Sequence, residues 1–584
     1  MKRKKVSHKK PLLRKIPASY FIVFFLFALL VFLAYFLILK HNIVDETMLY
    51  SWAWIVNYLN VKLFFALLLL AVVISILAAR VDWKFKEKHF LVFIFVVAFV
   101  LSSFSWSFPT PNPDIAEFFG VSKFVSENGL FSFFKDFGTE ELSGYRFHSW
   151  PIILGLFFRV FGESFLLAKI LYSVLFAFIP VLTFLLAKKL FSSKIAFISA
   201  FLVLSIPNLL VQSSMFLVDV PTAFFVLLSL YIFSVFLDKK NPFLYLVLTL
   251  VFLITIFSKR TAILFLIISC PVLFFYHLKK NNLKFSLSSR KTFLIVYALF
   301  IIIFSFVFLK LNFFSEQISL DLSQANIISN PAHYVNSWSY FFQFQPLIIV
   351  AFLVFILFFI FKPTFSKLFI LCWIFFSFLF VQGTTLRYMI PAFSAVAIGA
   401  AVVVSRLKKK AVVFLVAFIF CSSLASFFVG FSPLLKNEFY DNNILLSAKY
   451  VNSLKSVETI GVYFFYKDLE RVQSPKTEIF GYVFDYYSEK QVFYDTSESV
   501  RNIYDYQFSR FDVFDFYRDK NYLSPDYDAI VIFSNVFDWQ DLDFSDVKTV
   551  LKFLEENYAL NKTFSVGKSG IEKNEFGFVY IKNR

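Results

Sequence analysis

The chain has 584 residues, of which 59% are hydrophobic and 90 are Phe, and its mean hydropathy is +0.71. Repeated apolar runs of about 20 residues exclude an ordinary soluble protein and mark a polytopic helical membrane protein. The net charge of +18 does not point to nucleic acid, because Lys and Arg sit in short clusters between apolar runs, as they do in cytoplasmic loops.

In chain order the sequence predicts thirteen spans, at 20–40, 61–79, 89–108, 165–187, 194–211, 215–236, 243–257, 261–278, 292–310, 346–361, 367–382, 388–405 and 411–430. The basic start, Met1 to Lys5, precedes an apolar run too long for a cleaved signal segment, so it reads as a retained first span. With the N-terminus in the cytoplasm, 28 Lys and Arg fall in cytoplasmic loops and only 10 in or beside the outer ones. That asymmetry sets the orientation and puts the C-terminal tail outside. The cysteines Cys270, Cys372 and Cys421 lie in apolar runs without paired spacing, so neither a disulfide framework nor a zinc site is indicated.

The outer loop 109–164 follows the third span. Within it, residues 114–127 carry one apolar stripe at helical spacing, and 150–161 is apolar but too short to cross a bilayer, which suits the interface. A second outer loop, 311–345, has no Lys or Arg. From residue 436 the composition changes to 24 acidic and 18 basic residues with short apolar runs. Strands are predicted at 459–465, 529–533 and 576–581, and helices at 445–453 and 544–558. The fold class is therefore a polytopic α-helical membrane protein with a C-terminal extracytoplasmic α/β domain. Its parts are a basic N-terminus with two extra helices (1–88), a transmembrane unit (89–432) and a soluble domain (433–584).

Charged residues are scarce here, so their positions matter. Asp114 and Glu117 are three apart and share a helix face, as suits a base with an orienting partner or a divalent cation such as Mg, Mn or Zn. The same Asp-x-x-Glu spacing after a Pro also caps a helix. Asp219, with Pro221 behind it, stands at a span end, either as a cap or as a metal or acceptor ligand. Lys259 and Arg260 tip an outer hairpin against the charge bias, which suits either phosphate binding or snorkelling to headgroups. Arg387 and Tyr388 open a late span, and the guanidinium offers a fork of donors matched to phosphate oxygens. Arg146 and His148 close the first outer loop, where they can contact phosphate or metal. All these groups share one membrane face. That favours an enzyme over a transporter or flippase of a lipid-linked glycan, which would hold charges at mid-membrane, and over a scaffold whose spans merely anchor it.

The ordered set resembles the GT-C superfamily, and in particular its protein O-mannosyltransferase-like and aminoarabinose-transferase-like branch. The matching elements are Asp114-x-x-Glu117-Phe118, Tyr145-Arg146-Phe147-His148-Ser149-Trp150-Pro151, Asp219-x-Pro221, Lys259 at its hairpin, and Arg387-Tyr388-x-x-Pro391. The resemblance covers roughly 89–430 and departs from the mannosyltransferases in lacking their adjacent Asp-Glu pair. It implies inverting transfer of a sugar from a polyprenyl- or dolichyl-phosphate donor to a protein, lipid or glycan acceptor outside the cytoplasm. It assigns Asp114 as base, or as the carboxylate that orients the acceptor, and Lys259 and Arg387 as ligands of the donor phosphate.

Overall fold

The computed structural model describes residues 61–82, 86–106, 113–136, 148–239, 241–280, 344–380, 389–432, 443–465, 484, 488, 490–494, 527–534, 545–566 and 575–583. The spans expected at 20–40 and 292–310 and most of the loop 311–345 lie outside these residues.

The first helices are α1 (Val61–Arg80), α2 (Glu87–Ser103), α3 (Pro113–Asp136), α4 (Ser149–Phe161) and α5 (Phe165–Leu190). They are followed by α6 (Ser193–Leu204), α7 (Pro207–Met215), α8 (Asp219–Asp238), α9 (Pro242–Ile256) and α10 (Arg260–Lys280). Then come α11 (Pro346–Phe361), α12 (Phe365–Phe380), α13 (Ile390–Val404) and α14 (Lys409–Ser426), the last running into a π turn at Phe427–Phe431. Among the described residues four helices are long and apolar enough to cross a membrane, and α6 with α7 makes a fifth if counted as one bent span. The chain is a multi-pass membrane protein.

Two expectations change in detail. The run 194–211 is not one straight span: it breaks after Ser205 and bends by 58°. Pro207 enters at the first turn of α7, where its missing N–H costs nothing, and Ser423 Oγ donates to the Ser205 carbonyl at 2.7 Å. The run 215–236 becomes a helix only at Asp219, after a turn in which Phe216 takes a left-handed backbone (φ 56°).

The bundle is organised around α5, α8 and α13. Helix α13 is rich in small residues and almost wholly buried, which lets its neighbours approach closely. A Cβ on Gly399 would sit 2.8 Å from the Phe352 ring of α11. At the Lys-rich end of the bundle, ion pairs join helix ends, Lys188 to Glu87 and Lys189 to Asp238 at 3.0 Å, and His277 Nδ1 lies 3.1 Å from the same Asp238 carboxylate.

Beyond the bundle, α15 (Asn443–Ser453) and α16 (Ser545–Asn557) flank a five-stranded sheet. Its strands are β1 (Thr459–Phe465), β2 (Gln491–Tyr494), β3 (Ala529–Ser534), β4 (Tyr558–Val566) and β5 (Glu575–Lys582), in spatial order β2-β1-β3-β5-β4. The β2-β1-β3 half is parallel and the β3-β5-β4 half antiparallel. Central β3 is buried along Ala529 to Phe533, which explains its unbroken apolar run. Ahead of it Asp528 accepts bonds from Glu458 N (2.9 Å), Thr459 N (3.0 Å) and Thr459 Oγ1 (3.1 Å). Partial burial alone would raise this carboxyl, but those bonds and the Lys582 charge outweigh it and hold the pKa below the usual 3.8.

Helix α3 belongs to two cores. Ile115, Phe118 and Phe119 join the core of the bundle. Val121, Val125 and Phe133 join a second core with Ile444, Val531 and Val579 of the sheet unit.

Candidate active site

Asp219 is the first residue of α8, but it does not cap the helix: the N-cap is Val218, and no side-chain cap bond forms. The carboxylate is instead ion-paired with Lys259 Nζ, in the turn between α9 and α10. The two side chains are 2% and 11% exposed. That burial argues against snorkelling by Lys259. Two opposite charges taken out of water at this depth hold each other, because either one alone would carry an uncompensated desolvation penalty.

The neighbouring turn is stapled to α4. Ser149 N donates to the Phe257 carbonyl (2.7 Å), and Ser149 Oγ donates to the Ile254 carbonyl (2.8 Å). His148 Nδ1 lies 3.0 Å from the Ser258 carbonyl. A carbonyl only accepts, so Nδ1 carries a proton and donates. These bonds satisfy carbonyls that the end of α9 would otherwise leave open. The predicted ligand His148 thus commits one ring nitrogen to positioning the Lys259 turn.

The imidazole also stands edge-on to Phe118 of α3, with ring centroids 5.6 Å apart. Phe118 lies one helical turn after Asp114, on the same face. In this way the Asp114 turn of α3, His148 and the Asp219–Lys259 pair are gathered at one end of the bundle. Helix α3 is held there by α4: Ser122 Oγ donates to the Pro151 carbonyl (2.9 Å), and a Cβ on Gly155 would lie 2.6 Å from the Ser122 carbonyl. The side chains of Asp114, Glu117 and Arg260 lie outside the described residues, as do Arg146, Arg387 and Tyr388 entirely. Helix α13 begins two residues after Tyr388, packed against α8. Among the described residues no three of His, Cys, Asp and Glu come together as a metal site.

Sequence reasoning missed two features beside this site. The first is Phe216, whose ring meets Phe119 (5.7 Å), Trp150 (5.8 Å), Phe165 (6.0 Å) and Tyr172 (4.9 Å). Tyr172 Oη donates to the Leu217 carbonyl at 2.8 Å, fixing the turn that delivers Asp219. A non-glycine residue with positive φ is uncommon and persists only where its surroundings over-determine it. Nothing in the local sequence announces that backbone. The second is Lys169, a cation inside the apolar run of α5 and only 4% exposed. Its signal was present, since an ionisable residue within a span is a functional candidate by default.

Comparison with known proteins bears on this arrangement. Residues 148–309 match the family model described as dolichyl-phosphate-mannose-protein mannosyltransferase. None of the curated protein sequences matches the chain. Among solved structures, ArnT from Cupriavidus metallidurans bound to undecaprenyl phosphate superposes with a TM-score of 0.53 at 12% identity. That match covers 84% of this chain and 98% of ArnT. The Archaeoglobus fulgidus oligosaccharyltransferase AglB, in complex with an inhibitory peptide and a dolichol-phosphate, matches with a TM-score of 0.43 at 10% identity, covering 77% of this chain and 70% of AglB. The fold is that of the GT-C glycosyltransferases, and the resemblance read from the ordered motifs is borne out.

Proposed function

We propose that the protein transfers a sugar from a polyprenyl- or dolichyl-phosphate donor to an acceptor outside the cytoplasm. The observation that carries this reading is the buried Asp219–Lys259 pair, linked through Ser258, His148 and Phe118 to the helix of Asp114 on a GT-C fold. In this scheme the N-terminus is cytoplasmic and the Asp219 end of the bundle faces outward, as the distribution of Lys and Arg favours. Asp114 takes the proton of the acceptor nucleophile, with Glu117 orienting it. The nucleophile attacks the anomeric carbon opposite the phosphate, the sugar–phosphate bond breaks, and configuration inverts. The departing lipid phosphate gains negative charge, which Lys259 and Arg387 neutralise, with Arg146 and Tyr388 beside them. An ammonium carries three N–H donors, so Lys259 can hold Asp219 and reach a phosphate oxygen together.

The broken α6–α7 helix favours a second reading, a transporter of a lipid-linked glycan, because transporters build midplane sites from discontinuous helices. Incubating the purified protein with a panel of polyprenyl-phosphate sugars and acceptors, with mass spectrometry of products, separates the two. Transfer by the wild type, and a drop on the order of 1,000-fold in Asp114→Asn with donor binding retained, is the expected outcome. Absence of any product across the panel, with lipid-linked glycan moved between leaflets, would favour transport.

A further inference from the structure

Lys169 lies in the second turn of α5, inside an apolar span. An ammonium kept at such a position is costly and needs partners. Among the described residues two carbonyls hold it: Nζ donates to Ser105 O at 3.0 Å and to Trp106 O at 3.1 Å. Both lie just past the end of α2, where a helix leaves its last carbonyls open and carries its partial negative charge. The Phe165 ring, one turn back on α5, lies 4.4 Å from the same Nζ. One turn forward, Ser173 Oγ accepts the Trp106 indole N–H at 2.9 Å and lies 2.9 Å from Ser102 Oγ. Trp106 is therefore gripped twice by one face of α5, by its carbonyl and by its ring.

We infer that Lys169 is a positioning residue for the proposed transfer: it fixes the point from which the chain runs on to Asp114, eight residues after Trp106. The same face of α5 also bears on the far side of that connection, since Phe165 meets Phe119 of α3 at 5.5 Å. Helix α5 thus holds both ends of the segment that carries Asp114. The inference rests on the reading of Asp114 as the base, and Lys169 acts through that group without touching substrate.

The test uses the full-length protein in lipid nanodiscs, with Lys169→Met, Lys169→Arg and Ser173→Ala compared per folded molecule. Misplacing the Asp114 helix by about 1 Å should lower kcat on the order of 100-fold in Lys169→Met. KM for the polyprenyl-phosphate sugar should stay within about twofold. Lys169→Arg, which keeps the charge and its donors, should recover kcat to within about tenfold of wild type. Ser173→Ala should fall between them. Hydrogen–deuterium exchange of 113–136 should quicken in Lys169→Met and not in Lys169→Arg. A Lys169→Met protein that melts lower but keeps wild-type kcat and wild-type exchange would overturn the inference and leave Lys169 a purely stabilising residue. If wild type itself turns over no polyprenyl-phosphate sugar, the functional reading fails, and the exchange comparison decides the positioning role alone.

Discussion

One helix carries an acid at each end, and the two ends are built differently. Asp219, at the start of α8, is buried and ion-paired with Lys259. Asp238, at the finish, is 39% exposed and shared between Lys189 and His277. The Asp238 end behaves as a tie: Lys189 and His277 hold helix ends in register through one carboxylate that is open to water, which weakens each contact. The buried end is almost closed to water. Its charges were taken from water at a cost that a hydrophobic pair would not incur, so stability alone is a poor reason for having them there. The difference separates a structural ion pair from a candidate functional one without reference to any relative.

That contrast can be broken by substitution. The largest effect is expected for Lys259→Met, which removes the ammonium paired with the buried Asp219 carboxylate and should cost about 3–5 kcal/mol of stability in thermal unfolding. Adding Asp219→Asn in the same molecule should return at least half of the loss. Equal melting of single and double variants would mean that the pair is not desolvated. At the other end, Asp238→Asn should cost about 1 kcal/mol or less, and raising the salt concentration should shrink the difference from wild type. The smallest effect belongs to Asp528, outside the bundle altogether. Its carboxyl is held below 3.8, so its contribution is fully present above that pH and is lost as pH falls through the lower folded value. Asp528→Asn should therefore weaken the sheet unit near neutrality and flatten its acid limb, read as exchange in β1 and β3 between pH 7 and pH 3. An unchanged acid limb would show that the three bonds to Glu458 and Thr459 carry no linkage.

Much of the architecture was legible because each signal was local. The apolar run 346–361 coincides with α11, and the strands predicted at 459–465, 529–533 and 576–581 correspond to β1, β3 and β5. The helical stripe at 114–127 lies in α3, which continues to Asp136 through Gly129, a residue whose positive φ (85°) marks a kink. At the site, the members were legible and their pairings were not. Asp219 and Lys259 were both named as scarce charges at one face, yet nothing in the sequence says that they meet each other. His148 was named as a ligand, while its bond to Ser258 depends on a neighbour 110 residues away. The bend after Ser205 had a local cue in Pro207 that the hydropathy of the run concealed. Lys169 was hidden by the same averaging, as one charge in an otherwise apolar span.

The double membership of α3 has a consequence for how the molecule comes apart. Its first turns are locked into the membrane bundle and its later turns into the sheet unit, so neither body can lose its packing without dragging on the other. Cutting the chain after Ser432 would leave Val121, Val125 and Phe133 as a raw apolar scar beside the Asp114 turn. Calorimetry on the intact chain should accordingly record a single endotherm, because the two halves share one mechanical hinge-pin.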